Sequence, residues 1–324
     1  MCTAITYTTK NHYFGRNLDL ECTFGEHITV MPRYFPLPFR HAPDQMRHYA
    51  IIGMAHIADG YPLYYDAVNE AGLAMAGLNF PGFARYLPMQ KDRHNIAPFE
   101  CIPWILGQCA TLDEARQLLL RTNLLSLPFN DNLPLTPLHW MVADASGSIV
   151  AEPMQDGLRI LENPVGVLTN APPFDFHMTH LSHYMGLSRK APANTFSKTL
   201  TLQPYSRGMG AMGLPGDLSS TSRFVRAAFT RLNAVSGDSE DASVSQFFHI
   251  LGSAAQQRGC VKLEDSSYEI TQYTCCCNLE RGIYYYTTYE NRQITAVALQ
   301  HENSDAKTLI PYPLQTDPHF VWQN

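Results

Sequence analysis

The chain begins Met1-Cys2-Thr3, which places a cysteine directly behind the initiator methionine. With Met1 removed, Cys2 carries a thiol and a free α-amine on one residue. Thiols are nucleophiles in their thiolate form and ordinarily titrate at ~8.5. An α-amine ordinarily titrates at ~7.7–8.0, close enough to neutrality to take up and return a proton. Nucleophile and base then share one residue, as in a threonine activated by its own terminal amine. The chemistry this permits is attack on a carbonyl, which also requires donors for the oxyanion that forms. A second-position cysteine alone is more often incidental, so the rest of the chain has to decide.

Five other polar residues stand at unusual places. Arg16 and Asp19 follow the first strand, in Tyr13-Phe14-Gly15-Arg16-Asn17-Leu18-Asp19. The bland reading is a surface ion pair worth ~0–1 kcal/mol. Their separation of three puts them on opposite faces of a regular strand, so a bulge or strand end near Asn17 is expected if both serve one site. Asn79 closes an apolar strand in Gly77-Leu78-Asn79-Phe80-Pro81-Gly82, and Asn170 closes another in Val167-Leu168-Thr169-Asn170. Such asparagines are usually turn residues. Arg223 sits at a helix start, where a cation opposes the helix dipole. Cys275-Cys276-Cys277 and the pair His177/His180 invite a metal or redox reading. The triplet lacks CxxC spacing, however, and small buried hydrophobes are the simpler account. No GxGxxG, P-loop, HExxH or EF-hand loop occurs, so no cofactor is expected.

The elements that position these residues read as α+β. Cys2 to Tyr7 and Tyr13 to Asp19 form a hairpin around Lys10-Asn11-His12. Further strands are expected at Ala50–Ile57, Leu63–Ala67, Leu73–Phe80, Leu138–Asp144, Ser148–Glu152, Gln272–Cys277, Gly282–Tyr289 and Thr295–Gln300. Leu158–Leu161 and Val165–Asn170 read as another hairpin. Helical spacing marks Phe99–Cys109, Phe224–Leu232 and Val244–Gly252, and Thr111-x-x-Glu114 opens a helix to Leu120 as a capping box. Hairpins with grouped helices favour antiparallel sheets over a doubly wound parallel one. No repeat or linker breaks the chain, so residues 1–324 are expected to form one domain.

With 45% hydrophobic and 16% charged residues, the chain can bury a large core. Its net charge of −6 argues against nucleic acid or anionic membrane as a partner. The start lacks a secretory signal and no run of eighteen apolar residues occurs, so a soluble, cytoplasmic protein with reduced thiols is expected.

Taken together, Met1-Cys2-Thr3, the Tyr13–Asp19 segment, Gly77–Gly82, Leu168–Asn170 with Phe174-Asp175-Phe176-His177-Met178, and Gly213–Phe224 resemble the choloylglycine hydrolase family of N-terminal nucleophile hydrolases. Within it they look most like conjugated bile salt hydrolases. The resemblance runs nearly end to end. It implies a four-layer αββα sandwich, a homotetramer, and hydrolysis of the amide joining glycine or taurine to a bile acid. It also implies roles: Cys2 attacks, its α-amine shuttles the proton, and Asp19 holds that amine. Arg16 favours the thiolate, Asn79 and Asn170 donate to the oxyanion, and Arg223 completes the polar network. The steroid needs an apolar cleft. Candidate wall residues, chosen from positions near loop ends, are Leu18, Leu20, Met54, Ile57, Phe129 and Leu133. A cationic rim would suit the anionic leaving group. Two departures stand out: Leu20 occupies a position where many members carry an aromatic residue, and the Leu127–Pro137 loop is the region that varies most in the family. Penicillin V acylases share most of the set but typically have tyrosine at the position of Asn79. They are the nearest alternative, and a thiol-redox or metal-binding protein is the alternative from another class.

Overall fold

The computed structural model describes residues 1–324. In chain order, β1 (Cys2–Thr8) and β2 (His12–Leu20) form the expected hairpin, followed by β3 (His27–Met31), β4 (Ile51–Ala58), β5 (Tyr61–Asn69) and β6 (Ala74–Asn79). Then come β7 (His94–Ile96), α1 (Cys101–Gln108), α2 (Leu112–Leu120), β8 (Thr122–Leu124), β9 (Leu138–Asp144), β10 (Gly147–Met154), β11 (Gly157–Glu162) and β12 (Val167–Leu168). The last elements are α3 (Phe174–Leu181), α4 (Ser220–Asn233), α5 (Glu240–Gly252), β13 (Ile270–Asn278), β14 (Ile283–Thr288), β15 (Thr295–Ala298) and β16 (Ile310–Pro313).

The strands build two antiparallel sheets, ordered β12-β1-β2-β13-β14-β15 and β11-β10-β9-β6-β5-β4-β3-β16, plus a small parallel β7-β8 pair. β1 and β2 face β6 across the interior, α4 and α5 cover the first sheet, and α1 and α2 cover the second. The result is a four-layer αββα sandwich. Because both faces of the first sheet are covered, β2 is buried almost throughout rather than alternating. A second core, around Trp104, Ile105, Leu119 and Trp140, lies under α1 and α2.

Local chemistry accounts for the boundaries. Thr111 caps α2 by accepting from the Glu114 N–H at 3.2 Å, while the Glu114 carboxylate reaches back to the Ala110 N–H at 2.6 Å. Pro103 lies in the first turn of α1, where its missing N–H costs nothing. Gly15 is imposed by packing, since a Cβ there would stand 2.0 Å from the carbonyl oxygen of Cys275 in β13.

Three expectations fail. Val165–Asn170 does not pair with Leu158–Leu161. β11 pairs with β10, whereas β12 crosses to the other sheet and pairs with β1, helped by the left-handed turn at Gly166 (φ +61°). α4 starts at Ser220, capped by Ser219, four residues before Phe224. Thr295–Gln300 is not the last strand. β16 follows as an edge strand holding Pro311 and Pro313, and prolines in a short run conceal an edge strand. No helix is long and apolar enough to cross a membrane.

Candidate active site

Cys2 opens β1 and is 2% exposed. In the hairpin register Cys2 lies opposite Leu18 and Ala4 opposite Arg16, so Cys2 and Arg16 project from the same face, toward the second sheet. The Arg16 Nη2 donates to the Cys2 sulfur. Its Nη1 donates across the sandwich to the carbonyls of Gly77 (2.5 Å) and Tyr65 (3.2 Å). Burial opposes the Arg16 charge, but its acidic neighbours, Cys2 first among them, outweigh it and hold the guanidinium protonated.

Asp19 projects from the opposite face, toward the helices. Its Oδ1 accepts from the Thr271 hydroxyl at 2.6 Å, and Oδ2 lies 3.9 Å from Arg223 with no hydrogen-bond donor. β2 runs unbroken through Asn17, and the irregularity falls instead in β13, between Thr271 and Tyr273. The expected break near Asn17 is therefore absent. Arg16 and Asp19 flank Cys2 from two faces rather than meeting on one.

Arg223 is fully buried in the first turn of α4. Its cation opposes the helix dipole, and carbonyl and amide oxygens compensate it. The guanidinium donates to the Cys2 carbonyl, to Thr3 Oγ1 (2.7 Å), to Asn170 Oδ1 (2.8 Å) and to the Leu218 carbonyl (3.0 Å). Burial raises the Asp19 pKa and lowers that of Arg223, each partly offset by the other's charge. Both move toward neutrality, as expected of a pair whose desolvation outweighs its attraction.

Asn170 lies two residues beyond the end of β12. Its Oδ1 accepts from the Cys2 N–H at 2.7 Å, and its Nδ2 donates to the Asn79 carbonyl at 2.7 Å. β5 pairs with β6 no further along than Asp66 opposite Ala76. The Phe80 N–H donates at 2.8 Å to the carbonyl of Pro137, the residue before β9, so by alternation the main chains of Gly77 and Asn79 face away from β9, into the gap left by β5. Arg16 and Asn170 enter that gap, and the Asn79 N–H points into it as well. The structure thus links Arg16, Asn170 and Arg223 directly to Cys2, Asp19 to Arg223 and Asn79 to Asn170.

A family model described as linear amide C–N hydrolases, choloylglycine hydrolase family, matches residues 2–312. The chain belongs to the choloylglycine hydrolase family. It is 52% identical to the bile salt hydrolase/transferase of Lactiplantibacillus plantarum over 324 residues, covering 100% of both chains. It is 38% identical to the bile salt hydrolase/transferase of Clostridium perfringens, covering 96% of each. A crystal structure of a variant conjugated bile acid hydrolase from Clostridium perfringens superposes with a TM-score of 0.92 at 37% identity, covering 100% of both chains. The penicillin V acylase of Agrobacterium tumefaciens, at 18% identity and a TM-score of 0.77, shares the fold.

In this choloylglycine hydrolase a half-open cavity of about 250 Å³ lies over the gap between β5 and β6. Tyr65 and Gly77, the carbonyl partners of Arg16, belong to its lining, so Arg16 bridges the thiol and the cavity floor. The Leu127–Thr136 segment forms one wall, which includes Phe129 and Leu133. The other four wall candidates are elsewhere. Leu18 and Met54 are locked in the core between the sheets, and the half-buried Leu20 and Ile57 do not line the cavity. Sequence reasoning missed Phe24, His56, Tyr64, Tyr65 and Phe99. The clustered aromatics Tyr64 and Tyr65 were the available signal. No lysine or arginine is in the lining itself, and the cation at the cavity edge is Arg40, whose guanidinium lies over the Phe99 and Phe129 rings and donates to the Phe129 carbonyl at 3.0 Å.

Cys275, Cys276 and Cys277 are buried free thiols on alternate faces of β13, and burial pushes all three well above the usual thiol range. Such thiols resist the ionisation that redox or metal chemistry requires. Cys275 instead donates to Asp66 at 3.3 Å, beside the hydroxyls of Tyr273 (2.5 Å) and Tyr284 (2.6 Å). His177 and His180 are not a ligand pair either: His177 is buried against Phe224, while the half-buried His180 stacks on Phe176.

Proposed function

We propose that this enzyme hydrolyses the amide bond of glycine- or taurine-conjugated bile salts, using Cys2 as an N-terminal nucleophile. The observation that carries the reading is the convergence of Arg16, Asn170 and Arg223 on Cys2 beside an apolar cavity, in a chain matched end to end by bile salt hydrolases. Here the Cys2 nitrogen is still an amide bonded to Met1 and donates to Asn170. Removal of Met1 turns that nitrogen into an amine, and the partner assigned to it is Asp19, a reading supported by the carboxylate oxygen that has no donor.

The Cys2 sulfur attacks the amide carbonyl while its amine takes the thiol proton. The oxyanion draws on the Asn79 N–H and the Asn170 amide, each such donor being worth ~2.7–4 kcal/mol. The C–N bond then breaks, glycine or taurine leaves with the proton from the Cys2 ammonium, and a thioester remains. Water, deprotonated by the same amine, releases the bile acid and restores the thiol. The relatives are named hydrolase/transferase, and a nucleophile other than water acting on the same thioester would give transfer. No step calls for a cofactor.

Residues 1–324 act as one domain, a reading supported by sheets that draw strands from both ends of the chain. Homotetramer assembly is supported by the 185–212 segment, which exposes Met185, Phe196, Tyr205 and Met212 and lacks acidic residues on a chain of net charge −6. Light scattering checks that assembly. A cytoplasmic site is supported by eight free cysteines, and cell fractionation checks it. The test of function is product analysis with glycocholate, taurocholate and penicillin V, alongside intact mass with and without iodoacetamide. Bile salt turnover that vanishes in Cys2→Ala and nearly vanishes in Cys2→Ser is expected, and full turnover by Cys2→Ala would refute the mechanism.

A further inference from the structure

The β12–β1 ladder stops at Leu168, yet the next two residues are buried. Their carbonyls need partners that the sheet no longer supplies. Two histidines from different elements provide them. His139 of β9 places Nε2 2.9 Å from the Thr169 carbonyl, and His177 of α3 places Nε2 2.9 Å from the Asn170 carbonyl. Both rings are fully buried and both are locked by stacking: His139 on Phe80 at 4.3 Å and 5°, His177 on Phe224 at 4.7 Å and 21°. Phe80 follows Asn79 and Phe224 follows Arg223. Glu152 holds the other side of His139 at 3.2 Å, and the same carboxylate oxygen accepts the Phe174 N–H (2.9 Å) that begins the helix carrying His177.

We propose that His139 and His177 are positioning residues that replace the missing ladder beyond Leu168, fixing the Asn170 amide relative to Asn79 and Cys2. Neither imidazole reaches the thiol or the cavity. They act on the main chain at Thr169 and at Asn170, the residue whose side chain bridges the Cys2 nitrogen and the Asn79 carbonyl. Burial depresses the His177 pKa to about 4, which keeps the ring neutral. Nδ1 has no partner, so the proton sits on Nε2 and donates to Asn170. The inference rests on the proposed amide hydrolysis. A donor displaced by about 1 Å costs about 10²-fold in turnover.

The test compares His177→Phe with His177→Gln. Phenylalanine keeps the stack on Phe224 and loses the donor, whereas the glutamine amide can restore a donor at the Nε2 position. The readouts are kcat and KM for glycocholate, and the rate of Cys2 alkylation by iodoacetamide. His177→Phe is expected to lose about ten- to a hundredfold in kcat, with KM and alkylation rate nearly unchanged. His177→Gln is expected to recover most of the loss. If His177→Phe does not fold, His139→Gln against His139→Phe tests the Thr169 contact in the same way. Wild-type kcat in the phenylalanine variants, or a loss of alkylation in parallel with kcat, would overturn the proposal. Absence of turnover in the wild type would instead strike the hydrolase reading itself.

Discussion

Gly15→Ala isolates how packing at one backbone position sets the geometry at Cys2. The added Cβ would stand 2.0 Å from the Cys275 oxygen, 2.7 Å from its carbonyl carbon and 2.9 Å from the Cys276 Cα. Carbon–oxygen contacts normally lie at ~3.3–3.6 Å, so β2 and β13 must part by more than about 1 Å. Every atom struck is main chain, and both strands are covered on both faces, so no side chain can yield instead. Overpacking in a core costs about 1–3 kcal/mol, and a backbone clash belongs at the upper end. At ~2.1 cal/mol/K per residue, a chain of 324 residues unfolds with an entropy of about 0.7 kcal/mol/K, so a loss of 3 kcal/mol lowers Tm by about 4 °C.

The adjacent residue is Arg16, whose guanidinium joins the Cys2 sulfur to the cavity floor. A shift of that size in β2 therefore displaces the cation from the thiol, with a loss of about 10²-fold in kcat/KM. The assay pairs thermal unfolding with glycocholate turnover normalised to folded enzyme, at one protein concentration. An unchanged Tm would refute the packing argument. A lowered Tm with normal turnover per folded molecule would refute the link to Arg16.

Other sites give independent checks. For His177, the folded pKa of about 4 lies below the ordinary value of 6.5, so the unfolded chain takes the proton first as pH falls. Stability is then full above pH ~6.5 and declines toward pH ~4 by about 3 kcal/mol, and urea titrations of His177→Gln should show a shallower decline. Asp66→Ala strands two tyrosine hydroxyls and a thiol in the core, for an expected cost of about 3 kcal/mol or more. Tyr284→Phe should recover part of that loss in the Asp66→Ala background, and additive losses in the denaturation cycle would contradict it. Phe129→Ala should raise KM for glycocholate about five- to tenfold with little change in kcat, because it removes wall area and no reacting group. An unchanged KM would take Phe129 off the steroid wall.

The polar cluster was legible because its members break local rules. Arg223 begins a helix, Asn79 and Asn170 end apolar strands, and Arg16 and Asp19 stand three apart beside the first strand, while the family resemblance joined them into one set. The hairpin of β1 and β2 and the capped start of α2 follow from propensity and capping alone. What stayed hidden depends on contacts distant in sequence. Nothing near Val165 announces that β12 leaves one sheet for the other, and β16 is masked by its prolines. The cavity wall drew on Tyr64 and Tyr65, whose orientation depends on where β5 parts from β6. Asp66 reads as an ordinary strand residue until Tyr273 and Tyr284 arrive from more than 200 residues away.

The separation of Arg16 and Asp19 shows how the fold resolves a conflict that strand geometry poses. Residues three apart on a regular strand cannot serve one face, and β2 stays regular. They can serve one residue, provided that residue presents chemistry on both faces. An interior strand residue has only its side chain to offer, on one face. The first residue of a mature chain also has an amine, no longer tied into a peptide and free to turn toward the other face. Cys2 meets Arg16 through its sulfur on the sheet side, and its nitrogen bonds Asn170, whose amide oxygen also accepts from Arg223, the cation 3.9 Å from Asp19. In the proposed mechanism, moving the nucleophile one residue inward would turn the thiol to the other face, away from Arg16, and lose the base. The position of the cysteine at the head of β1 is therefore as much a part of that chemistry as its thiol.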